Sequence, residues 1–236
     1  MTGAVMARRT SADAYEFLRQ ELLHGALMPG ERLRVADLNE RYRLGLSPIR
    51  EALMRLTSEG LVSWESYRGA RVPDDNLEEF RDMIRTRREI ERLCLTKAIE
   101  LGDANWEAEI VRSFHVMSRT PFPDPTDSRE TTANWERCHR QFHYALVAAC
   151  GSDWLLQFWN TLADQSERYR KLRLFQTGAD ESRQLDAQRD HETIMEAVIG
   201  RDVAASIDLM DAHLIKTEKA ISKLLKPKRE AETEPG

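Results

Sequence analysis

LRVADLNERYRLGLSPIREALMRLTSEGLVSWESYRGARV, residues 33–72, is the stretch that decides how the chain is read. Val35 to about Tyr42 makes a short helix with Leu38 and Tyr42 on one face. Pro48 fits the first turn of the next helix, where its fixed φ is suitable and its missing N–H leaves no hydrogen bond unmade. Ile49, Ala52, Leu53 and Leu56 then recur at helical spacing, and Gly60 stops the helix. Leu61-Val62-Ser63-Trp64 and Ala70-Arg71-Val72 read as two short strands joined through Tyr67-Arg68-Gly69. Upstream, Ser11-Ala12-Asp13 offers a helix start, Ala14, Phe17, Leu18, Leu22 and Ala26 form its apolar stripe, and Met28-Pro29-Gly30 breaks it. Helix, helix, helix and hairpin in that order predict a winged helix-turn-helix over residues 10–73.

Pro73-Asp74-Asp75-Asn76 reads as a hinge. Beyond it the pattern is helical, with six helices predicted at 77–101, 104–119, 128–150, 152–177, 180–200 and 202–225. Their breaks fall at Gly102-Asp103, the proline-rich 120–125, Gly151, Gly178 and Gly200-Arg201-Asp202. The fold class is therefore mainly α, a winged helix-turn-helix followed by an all-α helical bundle over 77–225. The tail, 226–236, is too polar to bury anything and is expected to be disordered.

The chain has 236 residues, 41% hydrophobic and 32% charged. No apolar run approaches the roughly 18 residues of a membrane span. The start, MTGAVMARRTSADAYEF, lacks the apolar stretch of a secretory signal, so a cytoplasmic protein is expected. Cys94, Cys138 and Cys150 have no paired spacing and suit small buried hydrophobes in a reducing compartment. The net charge of −5 argues against a general nucleic-acid binder. It is unevenly placed: residues 1–73 carry eleven Arg, no Lys and nine acids, a balance of +2 that leaves −7 for the remainder. Arginine is the side chain suited to bidentate contacts with phosphate and guanine.

The 12–73 segment resembles the GntR family of bacterial transcription regulators, through Pro48, Arg50, Glu51, Ala52, Leu53, Leu56, Glu59, Gly60, Leu61, Val62, Gly69 and Val72 in order. The resemblance implies operator DNA as partner and a homodimer on a two-fold site. A helix after such a turn can lie in the major groove. Arg50 sits opposite Ile49 and Leu53, where a base edge or phosphate comes within reach. Ser47 can cap that helix or donate to a phosphate. Arg34 opens the second helix near the expected path of the backbone, and Arg68-Gly69 forms the wing tip. The family's usual Ser-Arg-Thr is here Gly45-Leu46-Ser47, so the base-reading Arg is replaced by Leu46, which suits a thymine methyl. A single surface Arg is usually no more than a solvated charge, and it is the presence of three, Arg34, Arg50 and Arg68, on one motif that favours a DNA contact.

Residues 77–225 resemble the helical ligand-binding domain of the fatty-acid-regulator (FCD) subgroup. The matching motifs are Arg87-Arg88-Glu89-Ile90-Glu91, His139-Arg140-Gln141-Phe142-His143, His191-Glu192-x-Ile194 and Met210-x-x-His213-Leu214. Spacing supports the same focus. His139 and His143, four apart, lie at the edge of the stripe Trp135, Cys138, Phe142, Ala145 and Ala149. His191 shares a face with Ala187, Ile194, Met195 and Val198, and His213 lies beside Val203, Ile207, Met210 and Leu214. Four imidazoles pointing into one interior are natural ligands for a divalent metal. Metal-binding members of the family carry Asp where this chain has His139, and an all-imidazole set favours zinc or nickel over manganese.

The resemblance further implies that Arg87 faces an effector pocket, with Tyr169 and Arg170 as further candidates, and a guanidinium there suits a small organic acid or dicarboxylate. Alternatives stand beside this reading. Arg87 and Glu91 form a helix ion pair at i,i+4, and four histidines can be buried and hydrogen-bonded without metal. The helical domain could serve only to dimerise. A metal-dependent enzyme is disfavoured, because the sequence sets no Glu or Asp beside the histidines as a general base.

Overall fold

The computed structural model describes residues 10–23, 25–65, 69–124, 127–176 and 181–225, in two compact units, Met1–Asp75 and Asn76–Gly236. Arg68 and the expected tail at 226–236 lie outside the described residues.

The first unit contains α1 (Ser11–Leu23), β1 (Arg32–Leu33), α2 (Val35–Tyr42), α3 (Leu46–Ser58), β2 (Ser63–Glu65) and β3 (Gly69–Arg71). Thr10 and Asp13 cap α1 reciprocally: Asp13 N–H donates to Thr10 Oγ1 at 3.2 Å and Thr10 N–H to Asp13 Oδ2 at 2.9 Å. The helix packs on α3, joining Ala14, Leu18 and Leu22 to Ile49, Ala52, Leu53 and Leu56 in one buried cluster. Burying each of the larger side chains contributes on the order of 1.5–3 kcal/mol. Ser47 does not cap α3. The cap position is Gly45, which has φ +92° and no side chain to offer, while Ser47 lies inside the first turn with its hydroxyl 3.4 Å from Glu51 Oε1.

The strands differ from the sequence expectation at both ends. Leu61 and Val62 belong to the turn that closes α3. Leu61 N–H donates to Leu56 O at 3.0 Å and Gly60 N–H to Thr57 O at 3.1 Å, the paired bonds that close a helix through a left-handed glycine. The wing strand therefore starts at Ser63. A third strand, β1, completes an antiparallel sheet of order β1-β3-β2, with Leu33 opposite Ala70 and Trp64 opposite Ala70.

The second unit is helical throughout its described residues: α4 (Leu77–Leu101), α5 (Ala104–Arg119), α6 (Arg129–Val147), α7 (Asp153–Gln176), α8 (Glu181–Ile199) and α9 (Val203–Leu225). Asn76, Asp103 and Ser128 cap α4, α5 and α6 by accepting from backbone N–H groups of the first turn. Gly102 is needed for close approach, since a Cβ there would meet ring carbons of Trp106 at 2.1 and 2.5 Å. Trp106 in turn donates from Nε1 to Ala145 O at 2.8 Å, tying α5 to α6. The main core gathers Leu95, Ala98, Ile110, Phe142, Leu146, Trp159, Ile194, Val198, Met210 and Leu214 from all six helices. A smaller cluster holds Phe80, Ile84, Tyr169 and Ile221. No helix among the described residues is long and apolar enough to cross a membrane.

Candidate functional site

In the first unit the candidate DNA contacts are on the outside. Arg34 is the exposed N-cap residue of α2, and Ser47 and Arg50 are exposed on α3. Among the described residues neither Arg34 nor Arg50 pairs with a carboxylate. Gly69 opens β3 at φ +83°, a left-handed conformation, with no described atom within 4 Å of where a Cβ would stand.

In the second unit the candidate residues converge inside. His139 and His143 come from α6, His191 from α8 and His213 from α9. One nitrogen from each lies within 4.8 Å of all the others. The rings of His191 and His213 are 4.6 Å apart, those of His139 and His143 4.5 Å, and those of His143 and His191 5.1 Å. Burial pushes all four below the ordinary imidazole range, His191 to about 4. They are therefore neutral near pH 7, with lone pairs available. His191 Nδ1 is 2.6 Å from Ala187 O; a carbonyl can only accept, so Nδ1 carries the proton and Nε2 the lone pair. That Nε2 faces His143 Nε2 at 3.2 Å. Among the described residues the buried Nδ1 atoms of His139 and His143 have no hydrogen-bond partner, a cost unless something else supplies one.

These observations fit a metal. A tetrahedral ion with bonds of roughly 2.0–2.1 Å holds neighbouring nitrogens about 3.3 Å apart, so the present spacing needs a contraction of at most about 1.5 Å. The Nδ1–H donated to a backbone carbonyl by His191 is the bond that orients a metal-ligating imidazole.

Charged side chains act on the histidines; the sequence reading named Arg87 and Arg170 among them and missed Glu136. Glu136, one turn before His139, is buried and accepts from Arg170 at 2.6 to 3.1 Å. The sequence reading, which set no Glu or Asp beside the histidines as a general base, did not single this carboxylate out. The Glu136–His139–His143 spacing carried the signal, since positions i, i+3 and i+7 share a helix face. Glu136 is fully engaged as an ion-pair partner, so the case against a free general base stands on other ground. The Arg170 charge helps to depress His139.

Arg87 on α4 is buried with its Nε 3.6 Å from Glu91 Oε2, an ion pair in which that Nε has no hydrogen bond among the described residues. Glu91 accepts instead from Trp159 Nε1 at 2.9 Å, and burial raises its pKa against the pull of Arg87. The positive charge of Arg87 also acts on His143 and His213. Tyr169 sits elsewhere, in the smaller apolar cluster, its ring 4.7 Å from Phe80 and its hydroxyl accepting from Arg168 at 3.0 Å. A cleft of about 30 Å³, lined by Met117, Ser118, Thr120, Phe122, Trp135, Gln188 and His191, reaches the histidines from the surface. Its Trp135 stacks on His139 at 4.8 Å.

Comparison with known proteins gives two family matches. Residues 10–72 match the bacterial regulatory proteins of the gntR family, and residues 82–216 match the FCD domain. The HTH-type transcriptional repressor GlaR of Escherichia coli (strain K12) is 35% identical over 206 residues, covering 87% of this chain and 93% of that protein. The uncharacterized HTH-type transcriptional regulator BphR of Paraburkholderia xenovorans (strain LB400) is 32% identical, covering 85% and 80%. Among solved structures, E. coli McbR/YncC superposes with a TM-score of 0.72 at 20% identity, covering 91% of this chain and 97% of that one, a likeness of fold.

Proposed function

The chain belongs to the gntR family of bacterial regulatory proteins and carries its FCD domain, and from that premise we propose that it is a homodimeric transcription regulator whose operator affinity is set by a small carboxylate. Regulators of this family bind operator DNA and typically act as dimers. The observation that carries the sensing half of the proposal is the convergence of four neutral imidazoles from three helices on one point, three of them buried and His213 half-buried.

On this reading residues 10–73 contact the operator through Arg34, Ser47, Arg50, Arg68 and Gly69. The region 77–225 holds the effector. His139, His143, His191 and His213 would bind a divalent metal, zinc or nickel, which when bound supplies a positive centre that a carboxylate can ligate. Arg87 is the better placed of the two arginines to meet the same carboxylate, because among the described residues its Nε has no hydrogen bond while Arg170 is held by Glu136. Arg170 then acts by charge and by fixing Glu136 behind His139. The cleft that Trp135 and His191 line is the route inward for an organic acid.

The relative GlaR is named a repressor, and repression relieved by the effector is the corresponding direction here. Effector and operator must then be linked reciprocally, each changing the other's affinity by the same factor, on the order of 5- to 150-fold. A thermal-shift screen of mono- and dicarboxylic acids, run with and without a chelator, tests the proposal. The expected result is stabilisation by a subset of acids that vanishes on chelation. Stabilisation indifferent to the chelator would remove the metal from the mechanism. No response to any acid, with metal bound, would favour a helical domain that only dimerises.

A further inference from the structure

Helix α3 carries two separate sets of apolar side chains. Ile49, Ala52, Leu53 and Leu56 are almost wholly buried, whereas Leu46 is 54% and Met54 61% exposed. Leu46, Arg50 and Met54 stand four residues apart, so they form one stripe along the exposed side of the helix. The other charges of α3 are engaged. Arg55 lies 3.7 Å over the Tyr15 ring and pairs with Glu59 at 3.2 Å, and the Glu51 carboxylate is hydrogen-bonded by the hydroxyls of Ser11 and Ser47. Among the described residues of α3, Arg50 alone presents an unpaired cation, and it lies between two exposed hydrophobes.

We propose that Leu46 and Met54 are specificity-determining residues that contact thymine C5-methyl groups on either side of a guanine bound by Arg50. The inference rests on the DNA-binding reading of α3 and deepens it. The occupant follows from continuity with the operator interface of the family and from the chemistry of the stripe. In the major groove guanine offers two acceptors to a guanidinium, and the thymine methyl is the apolar group among the base edges. A lipid or an apolar protein face would leave Arg50 unpaired at the centre of the contact. Eight helical residues span about 12 Å, and base pairs rise about 3.4 Å, so the two methyls should lie roughly three to four base pairs apart. Met54, unbranched and adaptable, suits the outer of the two positions.

The test begins with duplexes selected from a random library by the full-length protein. Each thymine in the selected half-site is then replaced by deoxyuridine, which removes the methyl and leaves base pairing intact. Two positions flanking a guanine should each lose about three- to fourfold in affinity, the equivalent of one buried methyl. Leu46→Ala should abolish the penalty at one position and Met54→Ala at the other, each protein melting as wild type does. If every deoxyuridine duplex binds as tightly as its parent while Arg50→Ala still weakens binding, the methyl reading is overturned and the DNA reading survives. If no duplex is enriched at all, both fall together.

Discussion

Arg50 on α3 and Arg170 on α7 are the same side chain put to opposite uses. Arg50 is exposed and unpaired in a unit whose buried residues are almost all apolar. Arg170 is three-way hydrogen-bonded to a buried glutamate in a unit whose interior also holds Glu91, Arg87 and three of the four histidines. The first unit keeps its core dry and puts its chemistry on the surface, where a large external polyanion can be read. The second builds chemistry into its core, where a small ligand can be surrounded. Substitutions should separate accordingly: surface changes in the first alter binding alone, and core changes in the second alter stability and function together.

The largest expected effect comes from breaking a buried pair. Glu136→Ala leaves Arg170 without its partner and should destabilise the helical unit by about 3–5 kcal/mol, read in thermal unfolding as a fall on the order of 10 °C. An unchanged melting point would show that the ion pair contributes nothing to the core, and the contrast between the units would weaken. Next is metal removal. With metal at 100 to 1,000 times its dissociation constant, chelation should cost the helical unit about 3–4 kcal/mol, and the first unit nothing. Hydrogen exchange resolved by residue measures both at once, and equal loosening of the two units would break the comparison.

Arg50→Ala should show the reverse signature. Operator affinity should fall by about 1–3 kcal/mol while thermal stability stays within about 0.5 kcal/mol of wild type. Titrations at one fixed salt concentration check this, since phosphate contacts are strongly salt-dependent. The smallest effect is Thr10→Ala, which removes one half of the α1 capping box and should cost about 1 kcal/mol. That loss belongs to the first unit alone, so the metal content of the second should not move.

The helical outline was legible because amphipathic stripes such as Ile49-Ala52-Leu53-Leu56 repeat at the helical period and end in identifiable stops. Strand β1 was not, since two residues have no period to detect and its pairing with β3 is made across 38 residues of chain. Leu61 and Val62 looked like strand because they are apolar and adjacent, yet backbone bonds to Leu56 hold them in the turn that closes α3. The histidines carried their own signal in the four-residue step from His139 to His143 and in their positions beside apolar stripes. The partners of Arg87 and Arg170 carried less. Glu136 and Arg170 sit on different helices 34 residues apart, and nothing local says that one answers the other. Whether a buried arginine is free for a ligand is a tertiary fact.

The account turns on whether the four imidazoles hold a metal, and metal content per chain measures that directly. Protein purified without affinity tag or chelator should contain close to one divalent ion per chain, zinc or nickel, by elemental analysis. His143→Ala and His191→Ala should reduce this steeply, while Arg50→Ala leaves it unchanged. Wild-type protein with a ratio near zero, persisting after incubation with zinc, nickel and manganese, would contradict the account.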